Sequence, residues 1–105
     1  MTDFQIILST CADREQAERI AHRLIELQLA ACVNILPGVQ SIYRWQGSIE
    51  SAAEVLLLIK TRSAHCQAVQ STIESLHSYE VPEFLVLPVS GGSEPYLDWL
   101  TGSLR

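Results

Sequence analysis

The sequence predicts an α+β fold, a ferredoxin-like βαββαβ sandwich with a long β2-β3 hairpin and a short C-terminal helix. The first observation is the stretch Leu29–Arg62, which has the pattern of two long strands joined by a short polar turn. The second is a pair of segments with helical periodicity, one on each side of this hairpin. The length of 105 residues suits a single domain, which we assign to residues 1–105.

The first strand and helix are predicted from the N-terminal third of the chain. Residues Phe4–Ser9 are short, β-branched and apolar on both faces, as in a buried central strand. Asp13 is a suitable N-cap, with Gln16 three residues later as in a capping box, so we expect a helix from there to about Gln28. Its apolar face is formed by Ala17, Ile20, Ala21, Leu24 and Leu27.

The hairpin is predicted from two apolar strands that flank Gln46-Gly47-Ser48. Strand two covers residues 32–36 and 39–45, and Pro37-Gly38 between them is typical of a bulge or bend. Strand three runs from about Ile49 to Thr61 and is apolar on both faces at its centre. We therefore expect both faces of the hairpin to be covered, in part by other copies of the chain.

The remaining elements complete the split βαβ order. Ser63 is a candidate N-cap for a helix over about residues 64–77, and residues 83–89 supply strand four. Pro88 lacks an N–H group, which favours a sheet edge or the end of a strand. Ser93 is predicted to cap a short helix through about Leu100. In this topology strand four pairs antiparallel with strand one.

Composition argues against several functional classes. The net charge is −5, Lys60 is the only lysine and the arginines are scattered, so we expect no nucleic-acid partner. The longest apolar run, Val55–Ile59, is too short to span a bilayer, so we expect no membrane partner. The N-terminus lacks a basic segment. The chain has three cysteines and no CxxC motif. These features predict a cytoplasmic protein with reduced thiols.

Three residues with metal-binding side chains should converge at one corner of the predicted sheet. Cys11 follows strand one, His77 closes the second helix and Glu83 begins strand four. A thiolate, an imidazole and a carboxylate form a workable ligand set, and the sulfur favours copper(I) or zinc over magnesium or calcium. The alternative is structural: a buried thiol, a histidine at a helix end and a surface charge. A Cys-His pair also suits a nucleophile, but only Asp98 could orient His77, so we expect no enzyme.

Lys60 and the hairpin aromatics have two interpretations each. Lys60 ends a buried strand, where it could hold a small anion or, more commonly, take part in a structural ion pair. Glu54 lies on the same face but six residues earlier, too far for pairing within the strand. Tyr43 and Trp45 share one face and are typical of anchors at subunit contacts rather than of a ligand cage.

The chain resembles the CutA family of divalent-cation tolerance proteins. The resemblance covers nearly the whole chain, from STCAD near the N-terminus to YLDWL near the C-terminus. The matching segments are residues 9–13, 29–50, 54–61, 77–89 and 96–100. It implies a ferredoxin-like subunit and a tight homotrimer in which the sheets pair edge to edge through the long hairpin, much as in PII-type signalling proteins.

The resemblance also implies a role in tolerance of divalent metals, particularly copper. Copper in the family is placed on a cysteine, a histidine and a glutamate, which match Cys11, His77 and Glu83. Zinc or another divalent cation is the alternative ion. The family commonly has a proline after the histidine, whereas this chain has Ser78, which loosens the connector that carries His77.

Two functions follow as hypotheses. The first is a trimeric cytoplasmic metal-binding protein of the copper-tolerance type, with one ion per subunit. The second is a PII-like signalling module that binds a small anionic or nucleotide ligand in clefts between subunits. Trp45, Lys60, Tyr79 and Glu83 would line that cleft.

Overall fold

Four antiparallel strands and three α-helices follow one another over residues 2–105, which are the residues that the computed structural model describes. This order is the predicted βαββαβ order with an added C-terminal helix. In chain order the elements are β1 (Phe4–Cys11), α1 (Arg14–Glu26), β2 (Cys32–Trp45), β3 (Ser48–Arg62), α2 (Cys66–Leu76), β4 (Leu85–Pro88) and α3 (Glu94–Gly102).

The sheet has the strand order β2-β3-β1-β4, so β1 lies between β3 and β4. Ile7 of β1 is paired with Ile59 of β3 and with Val86 of β4. The predicted antiparallel pairing of strand four with strand one is therefore confirmed. The two edges of the sheet, β2 and β4, are the surfaces through which another strand could pair.

The core lies between one face of the sheet and the helices α1 and α2. Asp13 Oδ1 accepts a hydrogen bond of 2.9 Å from the Gln16 backbone N–H, which confirms the predicted N-cap of α1. The side chains of the core that are completely buried are Ile7, Cys11, Ala17, Ile20, Leu24, Leu57, Ile59, Val69 and Ile73.

The opposite face of the sheet, called here the open face, is covered only at one end. Residues alternate across a strand, so Leu56, Leu58 and Lys60 lie opposite the buried side chains of β3 and are only half-buried. Helix α3 covers the end of this face where Lys60 and Arg62 lie, because Lys60 contacts Tyr96 and Arg62 contacts Thr101. Within one subunit the expected covering of both faces is therefore incomplete.

The hairpin extends far beyond its neighbours. β1 is paired with β3 only from Arg62 back to Val55, so the distal half of the hairpin is paired only within itself. The pairing shifts between Leu36 and Val39, and Gly38 has a φ of 77°, as in the predicted bulge. At the tip, Gln46 and Gly47 both have positive φ in a two-residue turn of the I′ kind.

Several predicted boundaries are wrong for local reasons. β1 continues past Ser9 to Cys11, because the long β3 still offers a pairing partner at Val55. Ser63 does not cap α2: it begins a 3₁₀ turn through His65 that has no side-chain cap, and α2 starts at Cys66. β4 is also shorter than predicted, covering only Leu85–Pro88 rather than residues 83–89.

Candidate metal-binding corner

His77 connects the end of α2 to the end of β1. The helix ends at Leu76, and the extended backbone of His77 (ψ of 142°) turns the chain away. Its Nε2 lies 2.6 Å from the backbone oxygen of Thr10, and its Nδ1 accepts a hydrogen bond of 3.0 Å from the Tyr79 N–H. Because Tyr79 N–H can only donate and Thr10 oxygen can only accept, the ring carries its proton on Nε2. Both ring nitrogens are therefore in use.

Cys11 and Glu83 lie beside this connection, as the topology predicts. Cys11 is fully buried, and burial, followed by the charges of Asp13 and Glu54, raises the pKa of its thiol to about 11. The backbone oxygen of Glu83 accepts a hydrogen bond of 2.8 Å from Ser9 Oγ, which fixes this part of the connector against β1. Burial, and then the charge of Glu54, raises the pKa of the Glu83 carboxyl.

Glu54 is a member of this corner that the sequence interpretation missed. Its Oε2 accepts a hydrogen bond of 2.9 Å from the Tyr79 hydroxyl. Burial and this bond raise the pKa of Tyr79 to about 12. Glu54 precedes Val55, which is the first residue of β3 that pairs with β1 and is the partner of Cys11. The signal that could have revealed Glu54 is the sheet register, which the sequence alone did not specify.

Whether copper can bind at this corner depends on which donor atoms are free there. Copper(I) binding would require a thiolate and a ring nitrogen with a free lone pair, whereas the Cys11 thiol is protonated at neutral pH and His77 has none free. Over residues 2–105, no group of three or more His, Cys, Asp or Glu side chains is arranged to hold an ion. In this conformation Cys11, His77 and Glu83 do not fit a preformed three-ligand site.

Ser78, which stands where the family commonly has a proline, makes a side-chain contact. Ser78 Oγ donates a weak hydrogen bond of 3.4 Å to Gln16 Oε1 at the start of α1. This contact links the connector next to His77 to the start of α1.

The four residues of the predicted ligand cleft lie at separate places in one subunit. Lys60 Nζ donates to the Tyr96 hydroxyl at 3.2 Å and lies 5.5 Å from the centre of its ring. Tyr79 and Glu83 are at the corner with Glu54, which is about 20 Å from Lys60 along β3 at six strand residues. Trp45 is 60% exposed at the hairpin tip. Only a neighbouring subunit could bring these residues together.

Comparisons with known proteins agree with the resemblance. The profile of the family described as CutA1 divalent ion tolerance protein matches residues 5–103. The chain is 48% identical over 105 residues to a divalent-cation tolerance protein CutA of Pectobacterium atrosepticum, covering 100% of this chain and 96% of that one. It is 41% identical over 100 residues to the chloroplastic CutA of Arabidopsis thaliana, covering 95% of this chain but only 55% of that protein.

Solved structures show the same fold. The CutA structure from Xylella fastidiosa has a TM-score of 0.96 at 43% identity, covering 99% of this chain and 100% of that one. The CutA1 structure from Oryza sativa has a TM-score of 0.95 at 41% identity, covering 97% and 94%. Among residues 2–105, no helix has the length and apolar character needed to cross a membrane. The profile match and the relatives together show that the chain belongs to the CutA1 divalent ion tolerance family.

Proposed function

We propose that this protein acts in tolerance of divalent cations as a cytoplasmic homotrimer that binds copper at the corner of Cys11, His77 and Glu83. The names of its relatives support the role in cation tolerance. The observation that carries the choice of site is the position of the connector: its His77 and Glu83 ends are both hydrogen-bonded to the last residues of β1, beside Cys11. The free thiols of Cys11, Cys32 and Cys66 suit a reducing compartment.

The trimer is supported by surfaces that one subunit leaves uncovered. The open face carries half-buried Leu8, Leu56 and Leu58, and the edge strand β4 exposes Leu85 and Leu87. An apolar face next to an unpaired strand edge favours association with another chain. The distal half of the hairpin also has unpaired edges, so it can pair with β4 of the next subunit. A repeated contact of this kind is head-to-tail and can close into a ring.

Copper binding at the corner requires changes in the side chains that hold it. The Cys11 thiol must lose its proton, and His77 must give up either the Thr10 oxygen or the Tyr79 N–H. Bound copper would supply the positive charge that stabilises the thiolate. Asp13 and Glu54 already place negative charge near this thiol, which favours a cation over an anion here. Zinc or another divalent cation is the alternative ion.

The test is anaerobic isothermal titration of the reduced protein with copper(I), zinc(II) and copper(II), with light scattering to measure the oligomer. We expect about one tightly bound ion per subunit, lost in Cys11→Ser and retained in Cys66→Ser, the matched control. Retained stoichiometric binding in Cys11→Ser would remove Cys11 from the site. A monomer by light scattering would refute the trimer whatever the titration gives.

The second candidate function is a PII-like module that binds a small anionic ligand between subunits. The observation in its favour is that Lys60 Nζ donates a hydrogen bond to the neutral Tyr96 hydroxyl. Among the described residues, no carboxylate lies within ion-pair distance of it. A neighbouring subunit could bring Trp45, Tyr79 and Glu83 to this charge.

A thermal-shift screen with small anions and nucleotides tests this candidate, because a ligand that binds only the native state must stabilise it. Stabilisation should disappear in Lys60→Met and remain in Cys66→Ser. No stabilisation by any compound would count against the module and leave the metal proposal untouched.

A further inference from the structure

An apolar cavity of about 160 Å³ lies on the open face of the sheet, beneath α3. Ile6 of β1 pairs with Lys60 of β3, so both side chains lie on this face and form one wall. Leu97 of α3 also lines the space. Further lining residues are Phe4, Val89, Gly91, Tyr96 and Leu100. We call this space the α3 cavity.

The size and lining of the α3 cavity fit a flat hydrocarbon ring. A cavity of about 150 Å³ in a protein core accommodates benzene. The lining is almost entirely apolar and includes the rings of Phe4 and Tyr96, so an aromatic body gains dispersion and ring contacts there. Water is a poor occupant of such a space, because a confined water needs several polar partners.

Two donor groups lie together at the rim of the α3 cavity. Lys60 Nζ donates to the Tyr96 hydroxyl oxygen at 3.2 Å. Both residues line the cavity while almost none of its wall is polar, so their head groups lie at its edge. An ammonium has three N–H bonds and a phenol one O–H bond. After their mutual contact, two N–H bonds and one O–H bond have no acceptor among residues 2–105.

The charge of Lys60 favours an anion at this rim. In the part of the chain that the structure describes, no carboxylate lies within ion-pair distance of it. Arg62, which is also on the open face, differs because its guanidinium is held by both carboxylate oxygens of Asp3. An ammonium beside a hydroxyl can donate to the two oxygens of one carboxylate. A suitable ligand therefore carries a carboxylate on an aromatic body.

We infer that the α3 cavity binds a small aromatic carboxylate, with its ring between α3 and the open face and its carboxylate on Lys60 Nζ and the Tyr96 hydroxyl. The inference deepens the second candidate function, on which it rests for Lys60 as the anion-binding charge. It differs in placing the whole ligand within one subunit, so that Trp45 takes no part.

The first test is isothermal titration of the wild-type protein with benzoate. We expect about one benzoate per subunit. Benzamide has the same ring without the charge and should bind roughly tenfold more weakly or worse, the factor expected for a hydrogen bond to a charged group. Acetate carries the carboxylate without the ring and should show no binding at the same ionic strength. Benzamide that binds as tightly as benzoate would overturn the role of the charge.

The second test locates the bound benzoate with two variants and their controls. Lys60→Met keeps the apolar stem and should weaken binding roughly tenfold or more. Arg19→Met is its control, because Arg19 is exposed on α1, on the other side of the sheet. Gly91→Leu should block the cavity, and the subunit should still fold because an added Cβ there meets no atom within 4 Å. Gly102→Leu also meets open space but does not line the cavity, so its binding should be unchanged.

The outcomes separate this inference from the second candidate function. Undiminished benzoate binding in Lys60→Met or in Gly91→Leu would overturn the assigned site. Loss of binding in Trp45→Ala, with binding retained in Gly91→Leu, would place the anion between subunits and support the second candidate instead. Stabilisation by a nucleotide or another small anion, without any binding of benzoate, would likewise overturn this inference alone. No effect of any anion, benzoate included, would overturn both.

Discussion

The most informative perturbation of the corner is alkylation of Cys11 with iodoacetamide at different pH values. Only the thiolate reacts, and burial with the nearby charges of Asp13 and Glu54 raises the pKa of this thiol from 9.0 to about 11. At pH 8 the thiolate fraction is then about a hundredfold smaller than that of an ordinary thiol, from the two-unit difference in pKa. Complete burial of the side chain slows the reaction further.

The assay follows the mass of the Cys11 peptide with time in the metal-free native protein. Between pH 7 and pH 10 the rate should rise about tenfold per pH unit and level off only near pH 11. The same cysteine in guanidinium-unfolded protein is the control, and its rate should level off near pH 9. A native rate that levels off near pH 9, or that equals the unfolded rate at pH 8, would refute the account of this corner.

Three further predictions follow from the same contacts. Glu83→Gln should stabilise the metal-free protein at pH 7, because the raised pKa of Glu83 means that its charge opposes folding there, and the gain should vanish below pH 4.5 in denaturant titrations. Tyr79→Phe should cost about 1 kcal/mol by leaving Glu54 without its donor. It should also remove the loss of stability that the raised pKa of Tyr79 predicts for the wild type between pH 10 and pH 12. Gln28→Gly should raise the free energy of unfolding by about 1 kcal/mol, because Gln28 follows the C-cap of α1 with a φ of 56°, a left-handed conformation that glycine adopts without a side-chain clash; a lower denaturation midpoint would contradict this.

The fold was predictable wherever a short stretch of sequence carried its own physical signal. Asp13 caps α1 because a carboxylate three residues before an amide can accept its N–H. The Gln46-Gly47 turn follows from the need for positive φ at both positions. Ser63 shows the limit of such signals, because its hydroxyl suits a cap but the chain forms a 3₁₀ turn there instead.

The candidate site was predictable only in part. Topology correctly placed Cys11 and the segment from His77 to Glu83 at one corner, because β4 must pair beside β1. The hydrogen bonds that occupy the two ring nitrogens of His77 were not predictable. Their partners, the Tyr79 N–H and the Thr10 oxygen, are backbone groups of a kind that the sequence does not distinguish. The Lys60 partner was missed for a similar reason: Tyr96 comes from a helix 36 residues away in the chain.

The sequence by itself determined the order of the elements, the cap of α1, the hairpin with its bulge and turn, and the family. These features depend on neighbouring residues, whose spacing fixes which side chains share a face. Only the tertiary structure decided that Glu54 joins the corner, that His77 has no free nitrogen and that Lys60 contacts Tyr96 of α3. Those features depend on the register and packing of distant segments, where burial, rather than residue type, sets what each polar group can do.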